Sequence, residues 1–124
     1  MEIGTTIQTH YGNATVDVGR YPKGGAIYIQ LYTREEGFPE PLITLSTNIL
    51  AVGPNLGLDE FCVKDWSENE AFIDAVYASG LFERTGRLVP SGYVVAPVWR
   101  LKQAEHVPEL PSHLKRKMAS TKAA

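Results

Sequence analysis

The chain has 124 residues, of which 44% are hydrophobic and 21% are charged, and its formal net charge is −2. This length and composition indicate one packed domain and exclude two domains, a coiled coil, a collagen-like chain and wholesale disorder. No apolar run approaches a membrane span, and residues 1–10 lack the basic and apolar regions of a secretory leader, so we expect a cytoplasmic protein. A single cysteine, Cys62, excludes an intrachain disulfide and fits a reducing compartment.

The first half of the chain alternates apolar and polar residues in short segments separated by turn residues. Residues 3–9 and 14–18 have a period of two around a turn at 11–13, which predicts a β-hairpin. A turn at 21–25 leads into a strand at 26–33, and a polar connector at 34–41 leads into a further strand at 42–49. Residues 51–58, rich in glycine and proline, are expected to form a loop before a short strand at 60–64.

One helix is expected, at residues 68–79. Ser67 and Glu70 have the spacing of a capping box, in which the Ser67 hydroxyl accepts from the Glu70 N–H and the Glu70 side chain accepts from the Ser67 N–H. Gly80 has the position of a residue that ends a helix. The apolar side chains of the helix form one stripe that should pack on a sheet: Phe72, Ile73, Val76 and Tyr77.

Two more strands are expected at 81–89 and 93–101, joined by a turn at 90–92. Pro97 has no N–H to donate, so we predict that the last strand lies at a sheet edge or is bulged there. The predicted fold is α+β: a mostly antiparallel sheet of about six or seven strands with the helix packed on one face. Residues 1–101 form the domain, and residues 102–124, with two prolines and few apolar side chains, are expected to be a basic, loosely ordered tail.

Charge is distributed unevenly between the two parts. Residues 102–124 carry +3 and residues 1–101 carry −5. The segment 59–74 accounts for the negative excess, since it contains only Lys64 against six carboxylates: Asp59, Glu60, Asp65, Glu68, Glu70 and Asp74. A concentrated negative face predicts a protein partner with a basic surface. The alternative is an ordinary solvated helix terminus. The body's charge disfavours direct nucleic-acid binding, although the cationic residues 115–117 would add weak, salt-sensitive affinity.

A second candidate surface combines aromatic rings with guanidinium groups. Its members come from the predicted strands: Tyr28, Tyr32, Arg84, Arg87, Tyr93, Trp99 and Arg100. If this sheet face is open, the rings can stack on bases and the guanidinium groups can bind phosphates, in a pocket formed between the subunits of a homodimer. If the sheet is covered on both faces, the same residues are core with arginines that extend to solvent.

No sequence motif predicts catalysis, a metal or a cofactor. His10, His106 and His113 lack the spacing of metal ligands. Cys62 has acidic sequence neighbours, which raise a thiol pKa rather than lower it. Ser91 lies in a Pro-Ser-Gly turn and not in a nucleophile elbow. We therefore expect a protein that is not an enzyme.

Four stretches carry a family resemblance: residues 26–31, 63–70 (VKDWSENE), 85–94 (TGRLVPSGYV) and 97–101 (PVWRL). They resemble a family of small uncharacterised proteins encoded largely by phages, plasmids and other mobile elements, over about residues 15–101. The resemblance implies a compact accessory protein of the host cytoplasm, and anti-CRISPR inhibitors of host defence are a frequent kind of such protein. It implies no catalytic residues.

Two hypotheses about function follow from these features. The first is a non-enzymatic, protein-binding accessory protein that inhibits a host nucleic-acid-handling defence complex through its acidic face. The second is a protein that sequesters a small ligand or nucleotide signal through the arginine and aromatic surface.

Overall fold

The computed structural model describes residues 1–33, 37–52 and 55–114, which contain eight β-strands in two antiparallel sheets. The strands of sheet one are ordered β1-β2-β3-β4, and those of sheet two are ordered β5-β6-β8-β7. Their bounds are β1 Glu2–Thr9, β2 Gly12–Arg20, β3 Ile27–Thr33, β4 Glu40–Thr44, β5 Ser46–Thr47, β6 Glu60–Val63, β7 Phe82–Ser91 and β8 Val94–Leu101. The α+β class is confirmed, but the expectation of one sheet with six or seven strands is wrong.

The alternating residues of the first half form sheet one as a simple meander. β1 and β2 make the predicted hairpin, with Ile7 opposite Ala14 and Thr9 opposite Gly12. β3 pairs with β2 so that Val16 lies opposite Leu31. The buried and less buried residues alternate along β2, which leaves one face of the sheet apolar and buried.

Leu45 joins the two sheets and is fully buried. Its N–H donates to the Ile29 carbonyl of sheet one at 2.9 Å, and its own carbonyl accepts from the Lys64 N–H, next to β6, at 2.7 Å. The predicted strand 42–49 is therefore divided between β4 and β5, because its hydrogen bonds pass from one sheet to the other at this residue.

A single large core lies between the sheets. Sheet one, sheet two and the helical segment all contribute to it, including Val16, Ile29, Leu45, Phe61, Phe72, Val76, Phe82 and Trp99. A smaller cluster on the opposite face of sheet two contains Cys62, Ala96 and Val98, and the loop residues Ile49, Val52 and Leu56 pack against it. Sheet two is thus covered on both faces where these clusters lie.

The predicted helix lies in the expected place, but its first half is a tight 3-10 turn, Ser67–Phe72, followed by helix α1, Ile73–Ala78. The capping box does not form: the turn has no side-chain cap, and Ser67 has a φ of 57°. Asn69 replaces it as the anchor. Asn69 is 1% exposed, and its Nδ2 donates to the Thr44 carbonyl at 2.7 Å and to the Lys64 carbonyl at 2.9 Å.

The ends of this segment agree better with the sequence. Phe72 and Val76 are buried in the core, as the apolar stripe predicts, and Gly80 has the positive φ, 80°, of a residue that ends a helix. No helix within the described ranges is long and apolar enough to span a membrane.

Pro97 does not lie on an edge strand, since β8 is paired with β6 on one side and β7 on the other. The pairing of β6 with β8 extends only as far as Cys62 and Val98, so Pro97 lies beyond the end of β6 and no ladder bond is lost. The register of β7 shifts between Arg84 and Leu88, opposite Val98. The irregularity expected at Pro97 is therefore a bulge in the neighbouring strand.

The C-terminal segment, residues 102–114, lies against the body. Val107 packs on the core, and the Pro108 carbonyl accepts from Arg20 Nε at 2.9 Å. Leu110 and Leu114 approach Gly25 in the turn between β2 and β3. The remainder of the predicted loosely ordered tail, residues 115–124, lies outside the described residues.

Candidate interaction surfaces

The six carboxylates of segment 59–74 form two groups. Asp59 and Glu60 lie at the start of β6, whereas Asp65, Glu68, Glu70 and Asp74 lie along the 3-10 turn and α1. β6 separates the two groups, so the segment that is continuous in sequence is not one surface patch.

The first group is paired with arginines of β7 and β8. Glu60 forms an ion pair with Arg87 and also accepts from the Gly57 N–H at 2.6 Å. Arg100 binds Glu83 of the neighbouring strand through Nε and Nη2, at 3.2 and 3.1 Å, and its Nη1 lies 3.6 Å from Asp59. Asp59, Glu60 and Glu83 therefore share two guanidinium groups, which compensate part of their charge within the chain.

The second group contains the exposed negative charge. Lys64 Nζ binds Glu68 Oε1 at 2.8 Å, and this hydrogen bond is the main cause that lowers the pKa of Glu68. Glu70 and Asp74 are exposed. Within the part of the chain that the structure describes, neither these two nor Asp65 is paired with a cation. We call Asp65, Glu70 and Asp74 the acidic surface.

The arginine and aromatic residues do not converge on one site. Tyr28 and Tyr32 are half-buried on the side of sheet one that faces away from the core. The Tyr28 hydroxyl donates to Gln30 Oε1 at 2.9 Å, and its ring packs edge-on against Tyr21 with centroids 5.2 Å apart. Burial raises the pKa of Tyr21. Tyr28 and Tyr32 lie in sheet one, whereas the other five residues of the candidate surface lie in sheet two or in its hairpin turn.

The remaining five are also separated from each other. Trp99 is 1% exposed and lies in the core. Arg84 is exposed, and its guanidinium carbon lies 4.0 Å from the centre of the Tyr77 ring and 6.0 Å from that of Trp99. Arg87 and Arg100 are in the ion pairs described above, and Tyr93 is fully exposed at the turn between β7 and β8. No shared pocket for a base and a phosphate is formed among the residues described.

A cleft of about 620 Å³ lies between the body and the C-terminal segment. Arg20 lines it, but three of its nitrogens already donate to backbone carbonyls, those of Pro108, Gly25 and Leu58, at 2.9, 2.9 and 2.6 Å. Burial lowers the pKa of this guanidinium. Because the Arg20 guanidinium is engaged in holding three segments together, we interpret the cleft as a contact region between these segments and not as an anion site.

An exposed apolar strip on the β7–β8 hairpin was missed by the sequence analysis. Leu88 is 66% exposed, Val95 is 50% exposed and Tyr93 is fully exposed. We define the hairpin strip as Leu88, Pro90, Tyr93, Val95 and Pro97. One sequence signal coincides with it: residues 88–97 contain no charged side chain.

The described residues contain no group of three or more His, Cys, Asp or Glu side chains that could hold a metal ion. Cys62 is 1% exposed, and burial raises the pKa of its thiol. Comparison with known proteins gives no further indication, since no protein-family model, curated protein or solved structure matches the chain.

Proposed function

We propose that the chain is a non-enzymatic, protein-binding accessory protein whose acidic surface contacts a basic surface of its partner. One observation carries the proposal: Glu70 and Asp74 are exposed and have no cationic partner among the described residues, whereas Glu60, Glu68 and Asp59 do. Exposed charges that are not compensated within the chain raise the rate of association with an oppositely charged surface.

The partner proposed from the family resemblance is a nucleic-acid-handling defence complex of the host. Proteins that bind nucleic acid neutralise its phosphates with lysine and arginine side chains, so they present basic grooves. Carboxylates held on a short helical segment fit such a groove, and the bound protein would compete with the nucleic acid for the same cations.

The test compares two double variants with the same change in net charge. E70K/D74K reverses the acidic surface, and E40K/E105K reverses two exposed carboxylates elsewhere. Each protein is immobilised, exposed to host lysate, and the retained proteins are quantified by mass spectrometry at low and moderate salt. We expect the wild type and E40K/E105K to retain a partner that E70K/D74K does not retain. Moderate salt should weaken this binding.

Retention of the same proteins by both double variants would contradict the proposal. So would the absence of any specifically retained protein. A rise in melting temperature with nucleotides or cyclic oligonucleotides in a thermal-shift screen would favour the alternative hypothesis of a nucleotide-sequestering protein.

A further inference from the structure

The β7–β8 hairpin continues the core-facing side of sheet two beyond the point where the core ends. Leu88 lies directly opposite Pro97, and Pro90 lies opposite Val95, so these four side chains share one face of the hairpin. Trp99 follows Pro97 on that same face of β8 and is buried in the core. Between Trp99 and the hairpin turn the face changes from buried to exposed along one strand.

The hairpin strip contains no charge, and different groups lie at its two ends. Its tip is Tyr93, next to Gly92, whose φ of 61° suits the first central position of a type II′ turn. Its base is at Arg84, which stacks on Tyr77. The exposed parts of Leu88, Tyr93 and Val95 together amount to roughly 400–500 Å², which is within the size range of the largest apolar patch on a typical monomer, and such patches are often functional.

We propose that the hairpin strip is a dimerisation surface, and that its occupant is the strip of a second copy of this chain packed face to face in antiparallel orientation. A two-fold interface needs a patch that is complementary to itself. The middle of the strip meets this condition because it is apolar and carries no charge that would repel its copy. In the antiparallel arrangement, Tyr93 of one chain comes over the second copy's Arg84, where a ring and a guanidinium attract each other.

Packing of faces is favoured over pairing of strand edges. β7 is an edge strand of sheet two, but Pro90 lies within it and has no N–H to donate. The register shift between Arg84 and Leu88 also interrupts its edge. Prolines and bulges on edge strands oppose the addition of another strand, so the exposed side chains, and not the backbone, are the surface available to a second chain.

The small size of the strip indicates a weak dimer. Two strips bury at most roughly 800–1,000 Å² in total, which is below the size of a standard stable interface and typical of transient contacts. We therefore expect a reversible dimer with a Kd on the order of 10–100 μM. This inference does not depend on the acidic surface, and a dimer would hold two acidic surfaces in one particle, which strengthens binding to a partner with repeated basic sites.

The test is sedimentation velocity of the full chain at protein concentrations from about 5 to 500 μM, a range that brackets the expected Kd. The wild type should shift from monomer to dimer as its concentration rises. L88E/V95E should remain monomeric, because it places charges in the apolar contact. The control F38E adds a charge at an apolar residue that is 73% exposed elsewhere, and it should dimerise like the wild type.

A second variant covers the case in which the glutamates disturb the hairpin. L88T/V95T is uncharged and keeps residues that favour strands, and it should weaken dimerisation at least tenfold while leaving the melting temperature near that of the wild type. A wild type that stays monomeric throughout, or a dimer that L88E/V95E leaves intact, would overturn the proposal. Neither result depends on whether the acidic surface binds a partner.

Discussion

Arg20 and Pro108 are joined by a hydrogen bond across most of the chain: the Arg20 Nε donates to the Pro108 carbonyl at 2.9 Å. The same guanidinium donates to the carbonyls of Gly25 and Leu58. One side chain at the end of β2 therefore connects a turn of sheet one, the loop before β6 and the C-terminal segment.

The first prediction concerns this guanidinium. R20K keeps the charge but cannot reach three carbonyls in different directions, so it should lower the free energy of unfolding by about 1–3 kcal/mol. Urea denaturation monitored by tryptophan fluorescence measures the loss. K23A, a change at an exposed lysine in the same turn, is the control and should lie within about 0.5 kcal/mol of the wild type. Equal stability of R20K and K23A would show that the three bonds contribute little.

The C-terminal segment provides the second prediction. A loosely ordered tail, as composition predicts, would contribute little to stability, but Val107 lies on the core and Leu110 lies beside Gly25. We expect removal of residues 103–124 to cost about 2–4 kcal/mol and to lower the melting temperature by on the order of 10 °C. Removal of residues 115–124 alone is the matched comparison and should have a much smaller effect. Equal melting temperatures for the two truncations would contradict the prediction.

The third prediction concerns Gly25, which contacts the C-terminal segment from the turn between β2 and β3. It is buried with a φ of 77°, and a Cβ there would lie 2.7 Å from Leu114 Cδ1. G25A should therefore cost more than G80A, which has a φ of 80° but an open surrounding. The strain of the positive φ is about 1 kcal/mol in both, and the excess should be about 1 kcal/mol. In G25A/L114A the added Cβ still lies 3.1 Å from Leu110 Cδ2, so part of the excess should disappear, as a double-mutant cycle measured by urea denaturation would show.

Asn69 is the subject of the fourth prediction. Its two amide donations attach the 3-10 turn to the ends of β4 and β6. N69D has nearly the same shape but places a carboxylate against two buried carbonyls, so we expect a loss of about 3–5 kcal/mol at pH 7. N48D is the control, because Asn48 makes one exposed hydrogen bond, to the Lys23 carbonyl. Equilibrium unfolding of both variants measures the difference in the free energy of unfolding. If N69D loses less than about 1 kcal/mol, Asn69 does not anchor the turn.

The fifth prediction is a dependence of stability on alkaline pH. Burial raises the pKa of the Cys62 thiol in the folded protein above its value in the unfolded chain, about 8.5. Above that pH the unfolded chain releases the thiol proton more readily than the folded chain, so stability falls as pH rises, by at most about 1.4 kcal/mol per pH unit for this group. Urea denaturation between about pH 7.5 and 9.5 should give a flatter slope for C62A than for the wild type. Identical slopes would mean that the thiol does not contribute.

The sequence predicted most of the elements because their signals are local. The period of two in β1 to β3, the turn residues and the apolar stripe of Phe72 and Val76 depend only on near neighbours. The division of the strand at Leu45 could not be predicted, because it depends on hydrogen bonds to the Ile29 carbonyl and from the Lys64 N–H. Both groups are distant from Leu45 in sequence. The capping box does not form for a related reason. The buried Asn69 amide binds the Thr44 and Lys64 carbonyls at the ends of β4 and β6, and these bonds outweigh the local preference of Ser67 to cap a helix.

The candidate sites were harder to predict than the fold. Segment 59–74 predicts one acidic face, but Glu60 and Asp59 pair with arginines that lie 27 and 41 positions later, and no local pattern reveals such pairing. The sequence leaves Trp99 either on an open sheet face or in the core, and only the packing between the two sheets shows that it is core. The uncharged stretch 88–97 was visible in the sequence, but its exposure depends on where the opposing layer ends.

The order of the two sheets along the chain, which change over at Leu45, affects synthesis on the ribosome. The strands of sheet one are consecutive in the chain, so they can pair in the order in which they emerge, up to Thr44. The residues that cover the apolar face of this sheet, among them Phe82 and Trp99, emerge much later. At about 5–20 residues per second the nascent sheet waits for seconds with that face bare. The uncovered face makes the nascent chain prone to aggregation during this interval. β6 pairs with β5 at only two positions, and it gains its second neighbour only when β8 has followed.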